Sequence, residues 1–221
     1  MSGGGSNGRF ITFEGGEGAG KSTQTALLCD ALGARGLEVV GTREPGGSEG
    51  AEAIRELLVR GETGRWDALS ETLLHFAARR EHYVGTIAPA LARGAWVVCD
   101  RFADSTMAYQ GYGLGVERET VAGLYRAVLG DFAPDLTIIL DLPAEEGLAR
   151  ANARGTNERG GDDRYERMGA AFHQRLRDGF LAIAEAEPER CVVIDARAAA
   201  EAVHAAVLAV AVERLGLDGD G

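Results

Sequence analysis

The sequence is poor in cysteine, proline and long apolar runs, and each shortage excludes a class of protein. The chain has 221 residues, of which five are prolines and three are cysteines. The cysteines are widely spaced and form no CxxC pair, so we predict reduced thiols and neither a disulfide framework nor a zinc site. No apolar run approaches the roughly 18 residues of a transmembrane helix. We therefore expect a cytoplasmic protein without a membrane partner.

Positive charge is also scarce. The formal net charge is −11 and the isoelectric point is about 4.9. A protein that binds duplex nucleic acid needs a basic face to neutralise phosphates, so we expect no nucleic-acid partner. A small anionic ligand held by a few local arginines remains compatible with this composition.

Five apolar runs alternate with helical stretches along the chain, which predicts an α/β fold. The runs read "RFITFEG", "LEVVGTRE", "AWVVCDR", "DLTIILDL" and "CVVIDA". Nearly continuous apolar strands separated by helices predict a five-stranded parallel sheet in a three-layer α/β/α arrangement. Helices are predicted over residues 22–34, 51–60, 69–93, 117–130, 144–154 and 164–187, and from 199 onward. We expect one domain over residues 9–215, flanked by a flexible leader (1–8) and a flexible tail (216–221).

The first strand and helix are joined by a phosphate-binding pattern. Residues 15–22 fit G-x-x-x-x-G-K-[ST] in the strand–helix context that this motif requires, which predicts a P-loop NTPase fold. Lys21 would reach the β- and γ-phosphates of ATP, and Ser22 would bind Mg²⁺. The predicted ATP-binding residues are Gly15, Gly16, Glu17, Gly18, Ala19, Gly20, Lys21, Ser22 and Thr23.

Other features decide which kind of P-loop protein this is. The sequence has no Asn/Thr-Lys-x-Asp guanine reader, and its third strand ends in Asp100–Arg101 in place of the carboxylate pair of a motor ATPase. Asp100 would help to hold the metal, and Arg101 would face a phosphate. A second anion site could be built from Arg43, Arg55, Arg79 and Arg101. These features favour a kinase for a small phosphorylated acceptor.

The stretches "FEGGEGAGKST", "TREPGG", "FAARREH", "DRFADSTMAYQGYG" and "PDLTIILDL" occur in that order. In these stretches the chain resembles the bacterial thymidylate kinases, from about residue 10 to residue 197. The resemblance implies phosphoryl transfer from ATP to dTMP with Mg²⁺, in a homodimer. Two alternatives stay open, a kinase for dUMP or dCMP and a non-catalytic nucleotide-binding module.

The resemblance also assigns roles to individual residues of the acceptor site. Glu17 would receive the 3′-hydroxyl of the deoxyribose, and Tyr109 would lie under the sugar and exclude a ribose 2′-hydroxyl. Arg55 and Arg101 would bind the dTMP phosphate. The base would be read by Arg79, with Ser105, Thr106 and Gln110 beside it and Phe76 stacked on the ring. The family commonly has the stacking phenylalanine four residues before this arginine, where the chain has His75. Either His75 stacks on the base, or Phe76 does so after a small helix rotation, or Arg80 is the arginine that partners Phe76, so the stacking residue stays open.

The resemblance implies a mobile lid over ATP at about residues 150–166. Gly18 stands where eukaryotic members of the family carry an arginine that reaches the transferred phosphoryl group. The lid offers Arg154, Arg159 and Arg164, and Arg164 best matches the lid arginine of the bacterial type. The predicted catalytic residues are therefore Lys21, Asp100, Arg101 and Arg164, with Ser22 and Asp100 as metal ligands.

Overall fold

The structure, a computed structural model, describes residues 8–60, 64–153 and 165–217. Five strands form one parallel sheet in the order β2-β3-β1-β4-β5. The strands are β1 (Phe10–Glu14), β2 (Val39–Arg43), β3 (Trp96–Asp100), β4 (Leu136–Asp141) and β5 (Cys191–Asp195). The predicted five-stranded parallel sheet is confirmed.

Helices lie on both faces of the sheet. The described α-helices are α1 (Lys21–Gly33), α2 (Glu49–Val59), α3 (Ala68–His82), α4 (Ala88–Ala92), α5 (Ala103–Thr106), α6 (Arg118–Leu129), α7 (Ala144–Ala153), α8 (Ala170–Ala186) and α9 (Ala200–Leu215). Leu28 of α1 and Val207 of α9 are fully buried in the core on one face. Ile87 and Leu176 belong to two clusters on the other face. Burial on both faces explains why the strands are almost continuously apolar.

The sheet places the carboxyl ends of its strands along one edge. Phe13 of β1 is in register with Asp100 of β3 and with Ile138 of β4. Ligands of open α/β sheets bind outside this edge, where the connecting loops begin. The P-loop and the Asp100–Arg101 pair, which lie far apart in the sequence, are thereby brought together.

Three helical regions differ from prediction. The helix predicted over residues 69–93 is α3, then a π-helical segment (Tyr83–Ile87), then α4. A second π-helical segment (Met107–Gly113) follows α5, in a stretch for which the sequence analysis predicted no helix. The helix predicted from residue 164 begins at Ala170. Most of the predicted lid (154–164) and most of the leader and tail lie outside the described residues. Within the described ranges, no helix has both the length and the hydropathy needed to cross a membrane.

Candidate active site

The loop between β1 and α1 has the backbone shape of a phosphate cradle. Gly15, Gly18 and Gly20 have φ angles of 134°, 70° and 93°, in the region that L side chains rarely adopt. Gly20 caps the N-terminus of α1, and its cap has no side-chain hydrogen bond. The first N–H groups of α1 and the positive end of its dipole are therefore available to an anion.

The side chain of Lys21 folds back onto this loop. Its Nζ donates to the carbonyl oxygens of Gly16 at 2.7 Å and Gly15 at 3.1 Å. Burial lowers the pKa of Lys21 to about 8, and the nearby charge of Arg101 acts in the same direction. A bound polyphosphate would supply the negative charge that restores the lysine pKa.

Ser22 and Asp100 meet beside the loop. Ser22 Oγ donates to Asp100 Oδ2 at 2.5 Å. Hydroxyl and carboxylate oxygens are the ligands that Mg²⁺ prefers, and Mg²⁺ commonly takes its remaining ligands from phosphates and water. Within the described part of the chain, no group of three or more His, Cys, Asp and Glu side chains could hold a metal. The pair therefore fits a metal that arrives with its nucleotide.

A cavity of about 750 Å³, counting space open to solvent, adjoins the P-loop. Eight of the nine residues predicted to bind dTMP line it: Glu17, Arg55, Arg79, Arg101, Ser105, Thr106, Tyr109 and Gln110. The other lining residues are Glu44, Pro45, Leu58, Val59, His75, Phe102, Tyr165 and Glu166. The fold thus collects them from α2, α3, the end of β3, and α5 with its π-helical extension.

Arg101 lies between the P-loop and the cavity in an uncommon backbone conformation. Its φ of 70° is the one positive value among the described non-glycine residues. Its guanidinium donates to Glu17 Oε1 at 3.0 Å, to the Gly15 carbonyl at 3.1 Å and to Ser105 Oγ at 3.2 Å. Backbone strain of this kind persists where the surroundings fix the residue, and it is concentrated at functional sites.

Glu17 is held ionised at the junction of loop and cavity. Its Oε1 accepts hydrogen bonds from the Tyr109 hydroxyl at 2.5 Å and from Arg101. Burial acts to raise the pKa of Glu17, but the charges of Arg101 and Lys21 and the Tyr109 hydrogen bond outweigh it and lower the pKa to about 2. The negative charge in the P-loop is therefore matched by neighbouring cations, and it faces the acceptor cavity.

Glu14, which the sequence analysis did not single out, organises the turn that carries Arg101. Its buried carboxylate accepts from the backbone N–H groups of Phe102 at 2.7 Å and Ser105 at 3.2 Å, and from Ser105 Oγ at 2.5 Å. Burial and the nearby charge of Asp104 raise the pKa of Glu14 to about 7. An acidic residue ending a fully apolar strand beside the P-loop was the sequence feature that could have revealed it.

Arg79 and Gln110, which both line the cavity, each have one buried polar atom without a hydrogen-bond partner. Arg79 donates from Nε to Glu44 at 2.8 Å and from Nη2 to the Phe102 carbonyl and to Thr106 Oγ1. Its Nη1 is buried and has no hydrogen-bond partner among the described residues. The same holds for Gln110 Oε1. Both residues line the cavity, so the two atoms, one a donor and one an acceptor, belong to side chains of its wall.

Comparison with known proteins identifies the family. The family model described as "Thymidylate kinase" matches residues 13–207. A thymidylate kinase of Caulobacter vibrioides is 60% identical over 210 residues, which cover 95% of this chain and 99% of that protein. The chain belongs to the thymidylate kinase family. A thymidylate kinase of a Bradyrhizobium species is 53% identical over 94% of this chain and 91% of its own. The crystal structure of thymidylate kinase from Ehrlichia chaffeensis matches with a TM-score of 0.74 at 38% identity, covering 92% of this chain and 98% of that one.

These matches confirm the predicted family, the P-loop fold class and the predicted kinase activity. They do not favour a non-catalytic module. The positions of individual site residues come from the structure. Some of the predicted residues line the cavity, and others do not.

Three of the four candidate arginines of this thymidylate kinase family member line the cavity. Arg55 donates to the Pro45 carbonyl at 2.6 Å and faces the cavity from α2. Arg43 does not line it and instead pairs with Glu52 on the surface. Arg55, Arg79 and Arg101 therefore bring three guanidinium groups to the cavity.

The structure places Phe76 in the core, so the expectation that it contacts the base needs correction. Phe76 is buried beneath the guanidinium of Arg79, whose Cζ lies 5.0 Å from the ring centroid, and it does not line the cavity. His75 does line the cavity, with Nε2 3.4 Å from the Tyr165 hydroxyl. One residue along an α-helix turns the side chain by about 100°, so only one of the two can face the ligand. The geometry favours His75.

Gly18 lies against α7, which explains the missing P-loop arginine. A Cβ on Gly18 would lie 2.0 Å from the Gly147 carbonyl oxygen, and a Cβ on Gly147 would lie 2.4 Å from the Glu17 carbonyl oxygen. The sequence analysis noted Gly18 but not its partner. With the loop in this position no side chain fits at residue 18. The predicted Arg164, like Arg154 and Arg159, lies outside the described residues.

Proposed function

We propose that this chain transfers the γ-phosphoryl group of ATP to dTMP, giving ADP and dTDP, with the acceptor in the cavity next to the P-loop. The observation that carries the assignment is the pair of unpartnered buried atoms at the base end. Thymine presents an acceptor at O4 and a donor at N3–H, which match Arg79 Nη1 and Gln110 Oε1. Cytosine presents an amino donor and a ring-nitrogen acceptor at the same positions. Its amino group would face the donor Arg79 Nη1, and its ring nitrogen would face the acceptor Gln110 Oε1.

The other end of the cavity fits the deoxyribose phosphate. Arg101 and Arg55 bind the phosphate, since both line the cavity and Arg101 also contacts Gly15 and Glu17 of the P-loop. Glu17, held ionised, accepts the 3′-hydroxyl of the sugar. The Tyr109 ring packs close beside these groups, with Arg101 Cζ 4.9 Å from its centroid, and leaves the sugar little room for a 2′-hydroxyl. Ser105 and Thr106 orient the two arginines, through their hydrogen bonds to Arg101 and Arg79 respectively.

Catalysis then consists of positioning and charge neutralisation. The backbone of residues 15–23 and Lys21 bind the ATP phosphates, and Ser22 with Asp100 would hold Mg²⁺ between them. The ion supplies charge neutralisation at the phosphate oxygens when it is bound. Arg101 contacts the acceptor phosphate, which is already a nucleophile at neutral pH and needs no general base. Arg164 is proposed as the last cation, and Arg164→Ala should lower kcat by about 10³-fold with a modest change in KM; a kcat like that of the wild type would remove it from the mechanism.

We further propose a cytoplasmic homodimer. All three cysteines are free thiols, which fits a reducing compartment. Leu69 and Leu73 of α3 are 46% and 48% exposed, so this helix offers an apolar surface to a second copy. Light scattering of Leu73→Glu beside the wild type tests the dimer, which the substitution should dissociate. A wild-type protein that elutes as a monomer at micromolar concentration contradicts it.

The activity is tested by ADP release from ATP·Mg²⁺ with four acceptors in parallel: dTMP, dUMP, ribothymidine monophosphate and dCMP. We expect dTMP to be preferred by more than about tenfold, which is about 1.4 kcal/mol of discrimination. Lys21→Ala, purified in the same way, controls for contaminating kinases and should release no ADP. Turnover of dCMP equal to that of dTMP, or none with any acceptor, overturns the assignment.

A further inference from the structure

A buried glutamate stands behind the base end of the cavity and is not explained by the roles given above. Glu71 of α3 is 4% exposed, and its Oε1 accepts hydrogen bonds from Gln110 Nε2 at 2.9 Å and from the Tyr165 hydroxyl. Gln110 Nε2 also lies 2.9 Å from the Tyr165 hydroxyl oxygen. Three hydrogen bonds therefore join Glu71, Gln110 and Tyr165 in a triangle, and His75 Nε2 lies 3.4 Å from the same Tyr165 hydroxyl.

Hydrogen-bond chemistry allows only one orientation of the Gln110 amide in this triangle. Glu71 Oε1 accepts from both neighbours, so each of them presents a donor to it. The single proton of the Tyr165 hydroxyl goes to Glu71, which leaves the hydroxyl oxygen to accept from Gln110. Both neighbours thus require the NH₂ group of the amide. A flipped amide would place its carbonyl oxygen against a carboxylate, with the cost of a buried unpaired acceptor.

We propose that Glu71 is a positioning residue for base selection, which fixes the Gln110 amide so that its carbonyl oxygen accepts N3–H of a thymine or uracil ring. This inference rests on the proposed function and deepens it. Gln110 touches the base, whereas Glu71 acts only through Gln110. The orphaned Gln110 Oε1 is the atom that the fixed orientation leaves for the ligand.

The test compares Glu71→Gln with the wild type by the ratios of kcat/KM for dTMP, dUMP and dCMP. A glutamine at 71 can donate as well as accept, so both orientations of the Gln110 amide become possible. We expect the preference for dTMP over dCMP to fall about tenfold, because a flipped amide offers a donor to the ring nitrogen of cytosine. The preference for dTMP over dUMP should not change, because these bases present the same O4 and N3–H. Where dCMP turns over slowly, its inhibition constant against dTMP gives the same comparison.

Two further variants keep the test decisive. Tyr165→Phe removes the hydroxyl but keeps the ring that stacks on Phe172 at 6.3 Å, and it should shift the dTMP:dCMP ratio in the same direction by a smaller factor. Glu81→Gln removes an exposed acidic charge from the same helix and should leave both ratios unchanged. Equal losses with all three acceptors, or an unchanged dTMP:dCMP ratio in Glu71→Gln, overturn the proposal. A wild-type protein that does not phosphorylate dTMP refutes the proposed function instead, before any variant is compared.

Discussion

Replacing Gly18 with alanine should damage both stability and catalysis, although it adds a single carbon atom. The new Cβ would lie 2.0 Å from the carbonyl oxygen of Gly147. Contacts shorter than about 3 Å do not persist, so the P-loop and α7 must separate by about 1 Å. The residue must also keep a φ of 70°, which costs an L-amino acid about 1–2 kcal/mol.

Two terms therefore add in Gly18→Ala. Overpacking costs about 1–3 kcal/mol, so the total loss of unfolding free energy is about 2–5 kcal/mol. For a chain of this length that corresponds to a fall in Tm of about 10 °C. A displacement of about 1 Å in a loop that positions the transferred phosphoryl group should lower kcat by up to about 100-fold.

Thermal unfolding and the ADP-release assay measure the two effects, and two other glycines separate their causes. In Gly147→Ala the new Cβ would lie 2.4 Å from the Glu17 carbonyl oxygen, but residue 147 lies in a helix and has no positive φ. This variant should therefore lose only the overpacking contribution, and its unfolding free energy should fall less than that of Gly18→Ala. Gly16→Ala has no atom within 4 Å and no positive φ, and its Tm should stay close to that of the wild type. A Gly18→Ala protein as stable as Gly16→Ala would refute the packing of loop on helix described above.

Two predictions concern pH. The pKa of Glu17 is lowered to about 2 from its ordinary 4.5, because the neighbouring cations outweigh burial; its ionised form therefore stabilises the fold above pH 4.5, and this contribution is lost as the pH falls toward 2. Between pH 7 and pH 2 the unfolding free energy of Glu17→Gln, measured with denaturant, should fall by up to about 3 kcal/mol less than that of the wild type. Identical dependence of the unfolding free energy on pH in the two proteins would contradict this prediction. The pKa of Lys21 is lowered to about 8, so kcat/KM for ATP should fall as the pH rises through 8, while kcat/KM for dTMP at saturating ATP stays flat. A flat ATP profile to pH 9.5 would show that Lys21 keeps its proton in the free enzyme.

The parts of the fold that the sequence predicted are those specified by local patterns. Each strand is a continuous apolar run, and the P-loop is a contiguous motif between a strand and a helix. The acceptor residues from Arg55 to Gln110 also came from contiguous stretches, recognised by family resemblance. In these regions the residues that determine the structure are neighbours in the sequence.

The parts that were missed depend on contacts between distant residues. Glu14 accepts from Ser105, 91 positions away, and Glu71 accepts from Tyr165, 94 positions away. A single sequence does not show which distant residues these two carboxyl groups contact. His75 and Phe76 are adjacent on α3, so a small rotation of the helix would exchange which of them faces the cavity. Only the packing of Phe76 under Arg79 decides between them. The Gly18–Gly147 contact required the position of α7, which no motif gives.

The arginines of the acceptor cavity belong to a chain whose formal net charge is −11. A dTMP dianion approaching from bulk solvent is therefore repelled at long range and attracted only within the last few ångströms, near Arg55 and Arg101. Because the Debye length is about 10 Å at 0.1 M salt, modest ionic strength screens the distant repulsion more than the final contact. The encounter rate with the acceptor should then rise with salt, as stopped-flow binding at two ionic strengths would show, whereas an electrostatically steered enzyme slows down. The acidic surface thus makes the rate at which dTMP binds depend on the salt concentration.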